Sequence, residues 1–356
     1  MREGIEQDGR FGRADRWRGQ VTPWPALGEA AWESRCPISR SPTHYLFKHM
    51  LRTAFLGLGA IGTPMARHLA SGAFDLVVWN RTAARAEAFV SAPGARLAAT
   101  PAAAAADRDV VITCFPTSRE VAALLDGPDG LLAALAPGST LLDCTSGDPA
   151  TSREIAARLA ERDVQFVDAP VSGGVSGAEA GTLTVMCGGD ADAIARVRPL
   201  LDAFGKRIVH AGPVGAGHAL KAVNNALLAM NLWGAAEGLA ALASAGVRPD
   251  LALDVINASS GRSNATENLF PERVLTGAFP RTFRAALLDK DVGIAADLAR
   301  AHRVPSPLLQ LTAELWRLAH IELGEDADHV EVVRVVERLA GVALRNGALP
   351  AESRSS

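Results

Sequence analysis

Lysine and strong net charge are both scarce in this sequence of 356 residues. Only four of the 36 basic residues are lysines, so a retained lysine is a candidate for proton exchange, which arginine does not perform. The formal net charge of −3 excludes a strongly basic nucleic-acid-binding protein and gives no electrostatic reason for membrane binding. No uncharged run approaches about 18 apolar residues, so the sequence predicts no transmembrane helix.

Cysteines are also few, and they lie far apart in the chain. No pair has the spacing of metal ligands, so we predict no metal site. A chain of this length can build its own hydrophobic core without disulfides. We therefore expect reduced thiols and a cytoplasmic protein. The four residues are Cys36, Cys114, Cys144 and Cys187.

Residues 1–49 differ from the rest of the chain because they show neither helical nor strand periodicity. They contain no apolar segment typical of a signal peptide. We therefore predict that this extension is disordered or not native. The second interpretation rests on Met50, which stands directly before the first strand pattern and could be the start of translation.

Residues 50–211 alternate short apolar runs with alanine-rich helical segments, which predicts a doubly wound parallel sheet of the Rossmann type. From residue 212 the strand signals stop, and residues 212–346 are predicted to form an all-α C-terminal domain. Residues 347–356 are expected to be a flexible tail. The fold class is therefore α/β followed by all-α. The predicted strands are Thr53–Leu56, Leu76–Trp79, Asp109–Phe115, Ser139–Asp143 and Val164–Asp168.

A glycine-rich motif follows the first predicted strand and opens a helix, which is the context of a dinucleotide site. The first glycine makes the turn, the second admits a pyrophosphate and the third lets helix and strand pack closely. A glycine turn without a ligand is the alternative. The motif comprises Gly57, Leu58, Gly59, Ala60, Ile61 and Gly62.

The end of the second strand favours NADP over NAD. NAD-binding folds usually place a carboxylate there, but this chain has Asn80, Arg81 and Thr82. An arginine binds a 2′-phosphate through charge-assisted hydrogen bonds, and Arg85 lies one turn further. Alternatively, Arg81 is a solvated surface charge.

A Ser-Gly-Gly turn is predicted to bind a small carboxylate, because Ser172, Gly173 and Gly174 expose backbone amides and a hydroxyl. The alternative is a glycine-rich loop between sheet elements. Two loops at predicted strand ends, at Phe115-Pro116 and Ser146, could contact the cofactor or simply terminate strands.

Lys221 and Asn225 are four residues apart on a predicted helix and share an otherwise apolar face. In a cleft beside a cationic nicotinamide the ammonium form of Lys221 would be disfavoured, and its pKa would fall towards the range where proton exchange is efficient. A lysine that extends along the helix surface is the alternative. His218, one turn earlier, is interpreted as structural, and Lys290 either pairs with its aspartate neighbours or contacts a ligand.

Together these motifs resemble the β-hydroxyacid dehydrogenase family, which includes 3-hydroxyisobutyrate dehydrogenase, tartronate semialdehyde reductase and glyoxylate/succinic semialdehyde reductases. The resemblance covers about residues 52–345. It rests on five segments in order, which are GLGAIGTPM, DAPVSGG, GAEAGTL, GAGHALKAVNN and LLDKDV.

The resemblance implies a role for each matching residue. Lys221 becomes the general acid and base, and Asn225 positions the substrate. Ser172, Gly173 and Gly174 bind its carboxylate. Phe115, Pro116, Ser146 and Lys290 become cofactor contacts, whereas Glu120 replaces an asparagine of many members.

The function implied is hydride transfer between NADP and a small 3-hydroxy acid or semialdehyde, in a homodimer or homotetramer assembled through the helical domain. Imine reductases share the fold but usually lack the lysine, and a non-catalytic dinucleotide-binding protein is the other alternative. Residues that shape the substrate pocket are sought among Asn231, Trp233 and Phe270.

Overall fold

The computed structural model describes residues 50–345 with the exception of residue 73. The predictions for residues 1–49 and 347–356 therefore lie outside the described residues. Among the described residues the last strand ends at residue 212 and the next helix begins at residue 216. We keep 50–211 and 212–346 as the proposed domain limits.

Nine strands form one sheet in the described part of the chain. Six of them pair in parallel in the order β3-β2-β1-β4-β5-β6. The strand order reverses between β1 and β4, and the carboxyl edge at such a point is where these sheets bind ligands. The six strands are β1 (Arg52–Leu56), β2 (Asp75–Trp79), β3 (Arg96–Leu97), β4 (Val110–Thr113), β5 (Thr140–Asp143) and β6 (Gln165–Asp168).

Three further strands extend the sheet beyond β6, and the sequence reading missed them together with β3. They are β7 (Val171–Ser172), β8 (Leu183–Gly188) and β9 (Gly205–Gly212). β8 runs antiparallel to β6 and β7 but parallel to β9. β3 and β7 are only two residues long, which is too short to show a hydrophobic pattern. β9 is largely exposed and therefore lacks a strong hydrophobic pattern as well.

Eight helices cover the two faces of the sheet. Alternate residues of each strand point to opposite faces, so Phe55 and Ile112 belong to one hydrophobic cluster, and Ala54 and Val111 belong to the other. Both faces are therefore buried. The helices are α1 (Gly62–Ala70), α2 (Ala83–Val90), α3 (Pro101–Ala105), α4 (Ser118–Ala123), α5 (Leu131–Ala134), α6 (Pro149–Ala160), α7 (Gly174–Glu179) and α8 (Ala191–Phe204).

The C-terminal part is helical throughout its described residues and is built around one long helix, α9 (Ala216–Ser244). The other α-helices pack against α9. The sequence reading missed the π-helix Ala265–Val274, because its residues have no 3.6-residue pattern. The remaining helices are α10 (Pro249–Asn257), α11 (Ala285–Ala301), α12 (Pro307–Leu323), the 3-10 turn His329–Glu331 and α13 (Val332–Ala340).

Helix α9 is long and apolar enough to cross a membrane by length and composition, although 39% of its most apolar window is buried inside the protein. Its buried face includes Leu232 and Leu239, and Trp316 donates a hydrogen bond to its backbone at Ala229, at 3.3 Å. A helix in the core of a soluble protein can have the same length and the same apolar composition. The protein thus has a Rossmann-type α/β part followed by an all-α part, which confirms the predicted fold class.

Candidate active site

The glycine loop between β1 and α1 lies at the switch point of the sheet. A Cβ on Gly57, whose φ is +104°, would lie 2.3 Å from the carbonyl oxygen of Cys114. A Cβ on Gly62 would lie 2.0 Å from the carbonyl oxygen of Gly57. A Cβ on Gly59 would meet no heavy atom within 4 Å. Two glycines are therefore required by the chain itself, and the third faces open space.

The start of α1 is suited to bind phosphate groups. Its N-cap is Ile61, which offers no side-chain acceptor, and its first turn contains no acidic residue. Thr63 donates its amide to the Gly59 carbonyl oxygen at 3.0 Å and Pro64 has no N–H, so the donor capacity at the positive end of the helix dipole lies with the amides of residues 59–62. An open groove starts here and is lined by Gly59, Thr63, Arg67 and Arg85. The loop, the free amides and the cationic groove fit a dinucleotide.

The turn after β2 is tied to the glycine loop. Asn80 accepts a hydrogen bond from the Leu58 amide through Oδ1, at 2.9 Å, and donates through Nδ2 to the Thr82 carbonyl, at 3.0 Å. Arg81, Thr82 and Arg85 are exposed. The predicted cofactor residues of both segments thus lie together at one edge of the sheet, with cationic side chains free in solution.

The loops after β4 and β5 meet at the same edge. The Phe115 amide donates to Thr145 Oγ1 at 3.1 Å. Lys290, from α11, donates through Nζ to the Pro116 carbonyl at 3.1 Å and also to the Ser146 carbonyl. The structure therefore brings Phe115, Pro116, Ser146 and Lys290 together at this edge of the sheet.

Cys114 directly follows β4 but is a poor nucleophile. Burial raises the pKa of its thiol to about 12, with a further contribution from the nearby charge of Asp143. A thiolate is the reactive form of cysteine. Covalent catalysis by this residue is accordingly disfavoured at neutral pH.

No group of His, Cys, Asp and Glu side chains within residues 50–345 has the arrangement of a metal site.

Asp291 connects the helical part to the site, and the sequence reading gave it no role of its own. Its carboxylate is 2% exposed. It accepts a hydrogen bond from Asn225 Nδ2 at 2.6 Å and forms a salt bridge with Lys290 Nζ at 2.9 Å. One buried carboxylate therefore orients two predicted site residues. Its position directly after Lys290 in the chain was the available signal.

Lys221 lies on α9 one turn before Asn225, and its side chain is neither fully buried nor exposed. Within residues 50–345 its Nζ makes no hydrogen bond or salt bridge to a side chain or carbonyl group. Burial lowers its pKa, the charge of Asp291 acts in the opposite direction, and the charge of Lys290 lowers it further. An amine in these surroundings exchanges protons more readily than a solvated lysine.

The Ser-Gly-Gly turn follows β6 through the short strand β7. Ser172 pairs with Thr184 of β8, and α9 also packs on β8. Gly173 and Gly174 have φ values of +138° and +66° and are exposed. Positive φ values exclude most side chains at this turn, so its amides remain uncovered.

The first turn of α9 is held by Asp168, at the end of β6. Its carboxylate accepts from the amides of Gly215, at 2.7 Å, and His218, at 2.9 Å. A Cβ on Gly217 would lie 2.1 Å from the Met186 carbonyl oxygen, so this turn packs directly on β8. The sheet therefore fixes the beginning of the helix that carries Lys221.

Two of the three residues sought for the substrate pocket need correction. Trp233 and Phe270 belong to the core of the helical part, being 5% and 0% exposed, and Trp233 lies about 18 Å along α9 from Lys221. They therefore do not shape a pocket around the amine. Asn231 is exposed on α9. Glu120 accepts from the Thr117 hydroxyl near the start of α4, which occupies its carboxylate locally.

Two family models match the chain. One is described as the NAD binding domain of 6-phosphogluconate dehydrogenase and covers residues 52–212. The other is described as NAD-binding of NADP-dependent 3-hydroxyisobutyrate dehydrogenase and covers residues 215–336.

Individual proteins are similar over most of their length. The chain is 35% identical over 303 residues to 2-(hydroxymethyl)glutarate dehydrogenase of Eubacterium barkeri, covering 83% of this chain and 98% of that protein. It is 40% identical over 275 residues to NAD-dependent L-serine dehydrogenase of Pseudomonas aeruginosa, covering 76% and 92%. This chain belongs to the 3-hydroxyisobutyrate dehydrogenase family. The structure of 3-hydroxyisobutyrate dehydrogenase of Mycobacterium tuberculosis with L-serine aligns with a TM-score of 0.74 at 31% identity, covering 81% of this chain and 99% of that one.

Membership of the 3-hydroxyisobutyrate dehydrogenase family confirms the resemblance inferred from the motifs. It makes the protein an NAD(P)-binding hydroxyacid dehydrogenase that acts on CH–OH groups. The role of Lys221, the choice between NADP and NAD and the identity of the acid remain predictions.

Proposed function

We propose that this protein is an NADP-dependent dehydrogenase of a small 3-hydroxy acid, with Lys221 as its general acid and base. The observation that carries the proposal is the partly buried Lys221 amine, which has no hydrogen-bond partner among the described residues and lies one helical turn from Asn225. NADP supplies or accepts the hydride when bound. The residues of the chain bind the acid, orient its hydroxyl group and move the proton.

Lys221 moves the proton in either direction. In oxidation the neutral amine accepts the proton of the substrate hydroxyl, and in reduction the ammonium donates a proton to the carbonyl oxygen. Burial lowers the pKa of Lys221, which increases the neutral fraction, while the charge of Asp291 opposes this effect. The carboxylate therefore keeps the ammonium form accessible for reduction.

Asn225 positions the reacting oxygen. One N–H of its amide donates to Asp291 at 2.6 Å, and its carbonyl oxygen accepts from Asn224 at 3.1 Å. These two bonds fix the amide plane and leave its second N–H as a donor to the substrate. Because Asn225 is 4% exposed, that donor works where water competes little.

The substrate carboxylate is assigned to Ser172, Gly173 and Gly174. The exposed amides and the serine hydroxyl supply neutral donors that suit one carboxylate group. The relatives named for 3-hydroxyisobutyrate, L-serine and 2-(hydroxymethyl)glutarate share a substrate pattern, a hydroxymethyl group on the carbon that bears the carboxylate. We assign this pattern to the present protein.

A panel of acids tests the substrate class. We expect NADP-dependent oxidation of 3-hydroxyisobutyrate, L-serine, glycerate or 2-(hydroxymethyl)glutarate, and reduction of the matching semialdehyde. Lactate is the control, because its hydroxyl lies on the carbon that bears the carboxylate. The reverse reaction is assayed with methylmalonate semialdehyde and tartronate semialdehyde. Succinic semialdehyde and glyoxylate, whose reduction gives a 4-hydroxy and a 2-hydroxy acid, complete the panel as aldehydes outside the assigned pattern. Oxidation of lactate alone, or activity on cyclic imines alone, contradicts the proposal.

NADP is assigned in preference to NAD on the charge at the end of β2. Arg81 and Arg85 are exposed there, and no carboxylate ends the strand. Loss of a charge-assisted hydrogen bond costs about 1.5–3 kcal/mol, so Arg81→Ala should weaken NADPH binding roughly 10- to 100-fold. NADH affinity should change little, and exposed Arg300→Ala serves as the control. Equal or tighter binding of NADH by the unaltered protein refutes the assignment.

Assembly and compartment complete the proposal. Leu308, Leu311 and Leu318 project from α12 with more than half of each side chain exposed, which favours association of two helical domains. We propose a homodimer or homotetramer in the cytoplasm, where the thiols of Cys114, Cys144 and Cys187 remain reduced. Light scattering of the purified chain tests the assembly, and a monomer at micromolar concentration contradicts it.

A further inference from the structure

The imidazole of His218 lies in a fully buried polar contact beneath the start of α9. Its Nδ1 is 2.6 Å from Ser152 Oγ, on α6, and its Nε2 is 3.9 Å from Asp143 Oδ2, at the end of β5. His218 and Asp143 are both 0% exposed. Within the described residues, neither His218 Nε2 nor Asp143 Oδ2 has a hydrogen-bond partner. Two unsatisfied polar atoms therefore face each other across a short gap.

The single hydrogen of the Ser152 hydroxyl limits the tautomers that His218 can adopt. Ser152 Oγ also lies 2.9 Å from the Asp148 carbonyl oxygen, and a hydroxyl has one hydrogen. If that hydrogen goes to Nδ1, the neutral ring carries its hydrogen at Nε2 and directs it at Asp143. If it goes to Asp148, Nδ1 donates to Ser152, and a bare Nε2 faces the carboxylate oxygen, which is an unfavourable contact. The first arrangement is therefore the one that suits both facing atoms.

Asp143 organises the two loops at the cofactor edge. Its Oδ1 accepts from Thr113 Oγ1 at 2.9 Å and from the Thr145 amide at 3.1 Å. Thr145 in turn accepts from the Phe115 amide at 3.1 Å. A contact from His218 to the other carboxylate oxygen therefore connects α9 to both loops.

The ring of His218 has no room to turn. A Cβ on Gly147 would lie 2.6 Å from His218 Cε1 and 2.3 Å from Ser118 Oγ. The loop after β5 thus closes directly over the ring, and the absence of a side chain at residue 147 makes the space for it. This packing fixes the rotation of the first turn of α9 about its axis.

The position of the Lys221 amine depends on that turn. Within the described chain Lys221 Nζ has no hydrogen-bond partner of its own, so the helix backbone and rotamer preferences place it. Lys221 follows His218 by three residues, which is less than one helical turn. A misplacement of about 1 Å at a catalytic group can cost about 100-fold in rate.

We propose that His218 is a positioning residue, and that an N–H at its Nε2 directed at Asp143 Oδ2 holds Lys221 in register with the cofactor loops. The inference rests on the proposed function for the use of Lys221. It replaces the purely structural interpretation of His218 with a role in the proton-transfer step.

The kinetic test compares His218→Phe with His218→Gln. The phenylalanine retains the ring shape without hydrogen bonds, and we expect kcat to fall about 10- to 100-fold while NADPH affinity stays within about twofold. Glutamine retains a donor and should recover part of the rate. The solvent deuterium isotope effect on kcat should rise in the phenylalanine variant, because proton transfer becomes slower relative to hydride transfer. His302→Phe, at the exposed end of α11, is the matched control.

Loss of folded protein is distinguishable from loss of position. A smaller folded fraction lowers kcat but leaves the isotope effect of the remaining enzyme unchanged, and this result would overturn the proposal. If the phenylalanine variant does not fold, the near-isosteric Asp143→Asn provides the second test. It should also raise the solvent isotope effect, and an unchanged kcat and isotope effect there contradicts the proposal.

A measurement without catalysis separates this inference from the proposed function. In protein labelled with ¹⁵N-histidine, we expect the resonance that His218→Phe removes to show a hydrogen on Nε2 and to shift in Asp143→Asn. An Nε2 without hydrogen refutes the contact, whichever substrates the enzyme accepts. Inactivity of the unaltered enzyme on the whole acid panel refutes the proposed function. The position of the hydrogen on His218 is then still decided by the NMR measurement.

Discussion

Gly59 and Gly62, in the glycine-rich motif after β1, should respond to substitution by alanine in opposite ways. A Cβ on Gly59 would have no heavy atom within 4 Å, whereas a Cβ on Gly62 would overlap the carbonyl oxygen of Gly57 at 2.0 Å. Gly59→Ala should therefore fold normally but occupy the space through which a pyrophosphate approaches the backbone. Gly62→Ala should disturb the fold itself.

The expected magnitudes follow from these distances. Gly59→Ala should change the free energy of unfolding by less than about 1 kcal/mol, because it restricts the unfolded chain without creating a clash. It should weaken NADPH binding at least about tenfold, equivalent to about 1.4 kcal/mol. Gly62→Ala should lose at least about 1–3 kcal/mol of stability, because the Gly57 carbonyl must move.

Urea unfolding and NADPH fluorescence titration measure the two quantities independently. Gly234→Ala is the matched control, because residue 234 is exposed in the middle of α9 and its Cβ would also meet nothing within 4 Å. It should gain about 1 kcal/mol from helix propensity and leave NADPH binding unchanged. Unaltered NADPH affinity in the Gly59→Ala variant would refute the assignment of the groove as the dinucleotide site. Failure of the Gly59→Ala variant to fold would refute the loop geometry.

Three further substitutions test charges around the site and in the helical part. Asp291→Asn removes the charge that raises the pKa of Lys221, so the limb of the pH–rate profile that reports Lys221 should move to lower pH; an unmoved limb contradicts the coupling. Burial alone would raise the pKa of Asp328, but hydrogen bonds from its histidine neighbour and from two amides outweigh burial and hold that pKa well below its usual value. Asp328→Asn should therefore cost about 3 kcal/mol near pH 7. The difference should be present above about pH 4 and disappear as the pH falls through the lower folded pKa, as urea midpoints will show. The hydrogen bond to Asp289 raises the pKa of His320, so its stabilisation should be complete below about pH 6.5 and lost as the pH rises through the folded pKa; a His320→Gln variant with the same pH dependence as the parent contradicts this.

Fold class was accessible from the sequence because hydrophobic periodicity is a local property. The buried strands β1, β2, β4, β5 and β6 each present a run of apolar residues. The strands β3 and β7 are stabilised by pairing with neighbours and carry too few residues for a pattern. The antiparallel direction of β8 is a tertiary property that spacing along the chain does not encode.

The candidate site was predictable where residue type alone limits the chemistry. Lys221 stood out because lysine is rare in this chain, and Lys290 because it matched a family motif. Asp291 was missed because an aspartate beside a lysine is usually a solvated ion pair, and only the fold places its carboxylate against Asn225. The contact of buried His218 with Asp143 likewise joins residues that are 75 positions apart, so no local sequence pattern predicts it.

The most direct test of the proposed chemistry is turnover by Lys221→Ala, measured with NADPH affinity in the same preparation. The account predicts a kcat lower by at least about 100-fold, unaltered NADPH binding, and partial recovery when small primary amines are added. A kcat within tenfold of the unaltered enzyme at saturating substrate would show that another group moves the proton, and would contradict the assignment of Lys221.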